Sequence, residues 1–146
     1  MKKLFLLAAM AFALALAGCT AGPSAPDSSG NQPGISGTVV RGLSSSMVPA
    51  GQDLVVTLKA NVGTQTFYAI DEIPPEGWTI KDAGQGSIDA QGHLKWLVLE
   101  KAATTTYTYV LTAPAEKGSF SFSGKCMFEG QAAEQQIKGA TNVTVS

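Results

Sequence analysis

A chain of 146 residues with ten basic and eleven acidic side chains carries a formal charge of −1, and only 14% of it is charged. That length suits one globular domain rather than two, and the lysines are scattered singly from Lys59 to Lys138, which argues against the basic patch a nucleic-acid partner requires. Thr, Ser and Gly recur along the chain and helical spacing of apolar residues is missing from it, a combination that favours an all-β fold.

Lys2 and Lys3 precede an unbroken apolar run, residues 4–17. The run is shorter than the roughly 18 residues a permanent bilayer-spanning helix needs, so it reads as the hydrophobic region of an export signal that is removed. It closes on Leu16-Ala17-Gly18-Cys19. This LAGC sequence resembles the lipobox of bacterial lipoproteins. The resemblance implies a signal peptide at 1–18, cleavage between Gly18 and Cys19, and palmitate-type acyl chains at a Cys19 that starts the mature protein. Each buried methylene contributes about 0.8 kcal/mol, so two or three chains anchor stably where one is marginal. In that family an Asp at the second mature position favours the inner membrane of double-membraned bacteria. Thr20 stands there instead, which implies the outer membrane if the organism has one.

A spacer is expected next. Nine of the fifteen residues 20–34 are Pro, Gly or Ser, too little apolar surface to offset the entropy of ordering them. As a coil this segment would span about 20 Å on average and at most about 50 Å when stretched.

From Ile35 to Ser146 the sequence predicts a succession of short strands. The first is placed at 37–43 around Val39 and Val40, followed by a turn at Val48-Pro49-Ala50-Gly51. Residues 53–60 alternate, with Leu54, Val56, Leu58 and Ala60 on one face. A third strand covers 66–73 and ends at Pro74-Pro75-Glu76-Gly77, and short pieces are placed at 78–81 and 86–89. Asp89-Ala90-Gln91-Gly92 has the residues of a hairpin turn, and residues 93–99 then direct Leu94, Trp96 and Val98 inward. Residues 104–128 read as the central hairpin, with Pro114 and Gly118 bracketing its turn. Tyr107, Tyr109 and Leu111 share one face of its first strand. Phe120, Phe122, Cys126 and Phe128 share one face of its second. Strands at 133–138 and 141–145 close the domain, the last with Val143 and Val145 inward. Seven to nine strands in this space match an immunoglobulin-like β-sandwich.

The segments IPPEGW at 73–78, GHLKW at 92–96, TYTYVLTAP at 106–114 and GSFSFSG at 118–124 resemble the immunoglobulin-like repeat modules of bacterial and archaeal surface proteins, many of them domains of unknown function. The resemblance spans residues 35–146. It implies a sandwich displayed outside the cell and carries no catalytic residues. A single copy behind a lipid anchor departs from the long arrays in which such modules usually occur.

Candidate chemistry is sparse. With Cys19 acylated, Cys126 has no partner within the chain. Its parity with Phe120, Phe122 and Phe128 makes it a small buried hydrophobe, the alternative being a reactive or intermolecular thiol. His93 is the one histidine and is expected to face solvent beside Gly92, so no Cys–His pair or Ser–His–acid set is formed. The chain offers too few N and S ligands for a zinc site. Asp71, Glu72 and Glu76 fall within six residues, which a calcium site or a pair of hydrolytic carboxylates could use. Alternation sends Asp71 and Glu72 to opposite faces, and a solvated strand end is the simpler expectation. Trp78 and Tyr68 are the candidate ligand residues, because exposed aromatics can stack on sugar rings. The simpler reading makes Trp78 a plug at one end of the sandwich. The sequence thus points to a non-enzymatic, lipid-anchored envelope module without cofactor or metal. Its partners are the membrane, through Cys19, and an envelope protein or glycan, with a carbohydrate-binding module as the alternative.

Overall fold

A strand with one covered face buries every second residue, so alternation decides where this chain becomes β-structure. The computed structural model describes residues 37–100 and 104–146, all within one compact unit, Gln32–Ser146. The expected signal peptide at 1–18, the expected lipidation residue Cys19 and the expected spacer at 20–34 lie outside the described residues. The chain forms β1 (Thr38–Leu43), β2 (Met47–Val48) and β3 (Asp53–Asn61). In β3 the side chains of Leu54, Val56, Leu58 and Ala60 are fully buried, each aliphatic one contributing about 1.5–3 kcal/mol. Then come β4 (Tyr68–Ile73), β5 (Thr79–Asp82), β6 (Ser87–Ile88), β7 (Leu94–Val98) and β8 (Thr105–Thr112). The remainder is β9 (Gly118–Ser121), β10 (Ser123–Phe128), β11 (Gln135–Gln136), β12 (Lys138–Gly139) and β13 (Asn142–Val145).

The strands form three sheets, ordered β12-β1-β3-β8-β5, β11-β10-β4-β7-β6 and β2-β13-β9. No helix occurs among the described residues. The first two sheets enclose one core as an immunoglobulin-like β-sandwich, to which the third adds Val48, Val143 and Val145. Aromatic pairs join the first two layers. The Trp96 ring of β7 lies 5.5 Å from Tyr107 and 6.1 Å from Tyr109, both on β8.

The expected central hairpin is not formed. β8 pairs with β3 and β5, whereas β9 pairs with β13 and β10 pairs with β4 and β11. Residues 113–117 therefore carry the chain from one sheet to another rather than turning it back. Tyr107 and Tyr109 face Phe122 and Phe128 from opposite layers instead of sharing a face. The inward parity of the stretch holds except at Phe120, which is only half-buried. Alternation reports which face of a strand is covered and is silent on its neighbour, so two strands across a core and two strands side by side look alike in sequence. The strand expected at 133–138 divides for a related reason. β11 joins β10 antiparallel and β12 joins β1 parallel, with buried Ile137 at the crossing.

The chain enters the sandwich at Gly37, where a Cβ would lie 2.2 Å from the Phe128 ring, so only glycine fits. Thr38 stands opposite Asn61 and Phe128 opposite Tyr68. One end of the sandwich thus holds the starts of β1, β4 and β8 and the ends of β3, β7 and β10. The β4–β5, β6–β7 and β8–β9 connections occupy the other end.

Candidate functional site

Two neighbouring carboxylates on β4 part company. Glu72 is fully buried, which corrects the expectation of a solvated strand end. The Arg41 guanidinium holds it bidentately, Nε donating to Oε1 at 2.7 Å and Nη2 to Oε2 at 2.7 Å. The Tyr109 hydroxyl donates to Oε1 at 2.6 Å. Arg41 also donates to the carbonyls of Ala140 at 2.9 Å and Ser123 at 3.0 Å, and its Cζ sits 5.2 Å from the centre of the Phe122 ring. Burial, reinforced by Glu72, pushes the Tyr109 hydroxyl far above the ordinary tyrosine range. A carboxylate accepting three charge-assisted or short hydrogen bonds in a dry interior is a structural bolt between layers. It has no open side toward a substrate, so it cannot act as a general acid or base.

Asp71 points outward into a half-exposed cluster. Its Oδ1 lies 3.0 Å from His93 Nδ1, and Lys95 Nζ lies 3.6 Å from its Oδ2 and 3.1 Å from Asp89 Oδ2. His93 is therefore half-buried against β4 and not turned freely to solvent. Asp89 organises the β6–β7 turn, its Oδ1 accepting from the backbone N–H groups of Gln91 and His93. The His93 amide, assisted by Lys95, holds the Asp89 carboxyl below its ordinary value, and Asp89 with Asp71 raises Lys95. Among the described residues no group of three or more His, Cys, Asp or Glu side chains is placed to hold a metal ion.

The proposed aromatic platform is corrected by burial. Tyr68 is 1% exposed, stacks on Phe128 at 5.3 Å and shares a 2.7 Å hydrogen bond with the Tyr107 hydroxyl. Trp78 is 8% exposed and packs edge-on against Phe120 at 5.9 Å. They belong to opposite ends of the sandwich, and neither presents a ring face on which a sugar could stack. Cys126 is buried as its parity predicts, and burial raises its thiol pKa, so it stays protonated and inert at neutral pH.

What Trp78 does support is a corner. Pro74, Pro75, Glu76 and Gly77 turn the chain from β4 into β5, and Gly77 takes a φ of +83°, a left-handed conformation that favours glycine. A groove of about 510 Å³ on one side is walled by Pro75, Glu76, Pro114, Glu116 and Phe120. A second, of about 430 Å³, lies on the other side against Pro74, Trp78, Ile80 and the exposed Ile88. Sequence reasoning named the corner but not the grooves, since Pro114 and Phe120 reach it only through the sheet-to-sheet crossing.

No protein-family model matches the chain, and no curated protein sequence matches it. Several solved structures are loosely similar. A type I cohesin–dockerin complex from Clostridium thermocellum is 13% identical, with 75% of this chain and 99% of that chain covered and a TM-score of 0.46. A conjugative transposon lipoprotein from Bacteroides eggerthii is 12% identical, covering 74% and 96%, with a TM-score of 0.40. The second type II cohesin module of the ScaA scaffoldin of Acetivibrio cellulolyticus is 10% identical, covering 73% and 82%, with a TM-score of 0.38. Likeness at this level assigns neither partner nor activity.

Proposed function

We propose that this chain is an exported, lipid-anchored, non-enzymatic module of a bacterial envelope, held at the outer membrane by acyl chains on Cys19. The residues before Gly37 tether the sandwich to the lipid, and the sandwich binds a protein partner at its far end. The observation that supports a binding role is the pair of grooves around Pro74–Gly77, at the end opposite to where the chain enters. Loops set on a rigid scaffold are where binding residues concentrate, and two prolines and a buried Trp78 stiffen this corner. Glu76 and Glu116 wall one groove beside Phe120, a combination complementary to a segment that carries a cationic side chain next to an apolar one.

A photo-crosslinking side chain at Glu76 or Glu116 tests this in cells. The reading predicts a discrete cross-linked protein band from both positions and none from Thr108 on the outer face of the first sheet. Glu116→Lys in the chain labelled at position 76, or Glu76→Lys in the chain labelled at position 116, is expected to weaken that band about tenfold without altering the melting temperature, since both residues are exposed. Equal labelling from all three positions, or none from the corner, contradicts it.

A further inference from the structure

Among the described residues eight large hydrophobic side chains are exposed, and four of them gather at one place. Met127, Ala69 and Leu97 lie side by side across β10, β4 and β7 on the outer face of the second sheet. Phe67 and Leu99 stand one residue beyond the last β4–β7 pair, Tyr68 with Val98. Leu97 is 68% exposed, Leu99 71%, and Phe67 and Met127 43% each. Two residues further along the same strands the face turns charged, with Lys125, Asp71 and Lys95 in register. Polarity therefore changes along the strand axis and not across it, apolar at one end and lysine-bearing about 7 Å higher.

The apolar end is the one where the chain arrives. Gly37 packs on the Phe128 ring, beside Met127, and the Glu129 amide donates to the Phe67 carbonyl at 3.1 Å. Residues 19–36 precede that point and can reach no more than about 60 Å even fully extended. If Cys19 is held in lipid, this end is the one the anchor draws toward the bilayer.

We propose that Phe67, Leu99, Leu97 and Met127 form a lipid-contact surface that rests on the membrane carrying the anchor. The proposal rests on the lipid-anchor reading above. The apolar side chains would enter the headgroup–acyl boundary, a depth of about 5–10 Å, which leaves Lys95 and Lys125 at headgroup level. Charge is not what recognises the bilayer. Glu100 and Glu129 lie at the same end, and both lysines already have carboxylate partners, Asp71 and Asp89 for Lys95 and Glu134 for Lys125. Contact is accordingly expected on zwitterionic lipid and to change little between low and high salt. Tethering keeps the local lipid concentration high, so a small patch suffices.

The test uses the full processed protein, acylated at Cys19 and reconstituted into phosphatidylcholine vesicles, with Leu99→Trp as reporter. Thr106→Trp, exposed near the start of β8 on the outer face of the first sheet, is the control. Brominated acyl chains are expected to quench the additional emission of Leu99→Trp at least about twofold and to leave that of Thr106→Trp unchanged. Adding Phe67→Asp and Leu97→Asp to the reporter chain should abolish the quenching. Protein that floats with vesicles while Leu99→Trp stays unquenched overturns the lipid contact and leaves the anchor standing. Protein that carries no acyl group and does not float removes the anchor itself. Quenching that disappears in high salt overturns recognition by apolar insertion. A cross-linked protein partner at Leu99 in cells, without quenching in vesicles, assigns the patch to that protein instead.

Discussion

Asp71 and Glu72 are sequence neighbours with the same charge, and the sandwich puts them in different media. Glu72 turns inward, is fully buried, and meets Arg41 and Tyr109. Asp71 turns outward and meets His93 and Lys95 at a surface that water still reaches. The Coulomb attraction in each cluster is of one kind; what differs is the cost of leaving either group alone. A buried charge without its partner keeps the full desolvation penalty, while an exposed one is rescued by water. Stability should therefore follow Glu72 closely and Asp71 hardly at all, although each has a basic side chain within 4.0 Å.

The largest expected effect is at the buried pair. Glu72→Ala should cost about 3–5 kcal/mol in urea unfolding, because it strands the Arg41 guanidinium. The Arg41→Met/Glu72→Leu double variant should recover most of that loss, and it keeps the comparison informative if the single variant does not fold. A single-variant cost below about 1 kcal/mol would make the two carboxylates equivalent and break the comparison. Next comes Tyr109→Phe, which removes one donor to Glu72 and is expected to cost about 1–3 kcal/mol. The exposed side is the smallest. Asp71→Asn should shift stability by about 1 kcal/mol or less, and high salt should erase the difference.

Acid sharpens the same contrast on the exposed surface. Lys81 with Thr112 lowers the Asp53 carboxyl, the His93 amide lowers Asp89, and the Thr66 side chain and amide lower Glu129. Each binds its proton less readily folded than unfolded, so the native state holds fewer protons. Their contribution is complete above the ordinary values of 3.8 for Asp and 4.5 for Glu. It is lost as pH falls through the depressed values below them. Thermal melts should stay level from neutral pH down to about 5 and drop below about 4. Asp89→Asn should flatten part of that drop, and a midpoint that rises on acidification would contradict the assignment.

Much of the fold was legible because alternation is a local property with a direct physical cause. Leu54, Val56, Leu58 and Ala60 set β3 to within one residue, and Asp89 to Gly92 gave the β6–β7 turn with Gly92 at a φ of +82°. Pairing was not legible, since residues 113–117 could turn the chain back or carry it across the core. The buried ion pair left a trace that went unread. Arg41 shares parity with Val39, and Glu72 shares parity with Tyr68 and Ile70, so two opposite charges sat at inward positions of two strands. Such a coincidence is a sequence signature of a core salt bridge. Trp78 and Tyr68 were misleading as ligand residues because sequence cannot tell an aromatic at a strand end from one folded under it.

The roles proposed for the two ends of the sandwich both rest on acylation of Cys19. Mass spectrometry of the amino-terminal peptide from membrane-fraction protein tests this most directly. The account predicts a peptide that begins at Cys19 with a diacylglyceryl group on sulfur, and a Cys19→Ser variant released to the soluble fraction. A mature chain with an unmodified Cys19, or one that begins elsewhere and fractionates as soluble protein, would contradict it.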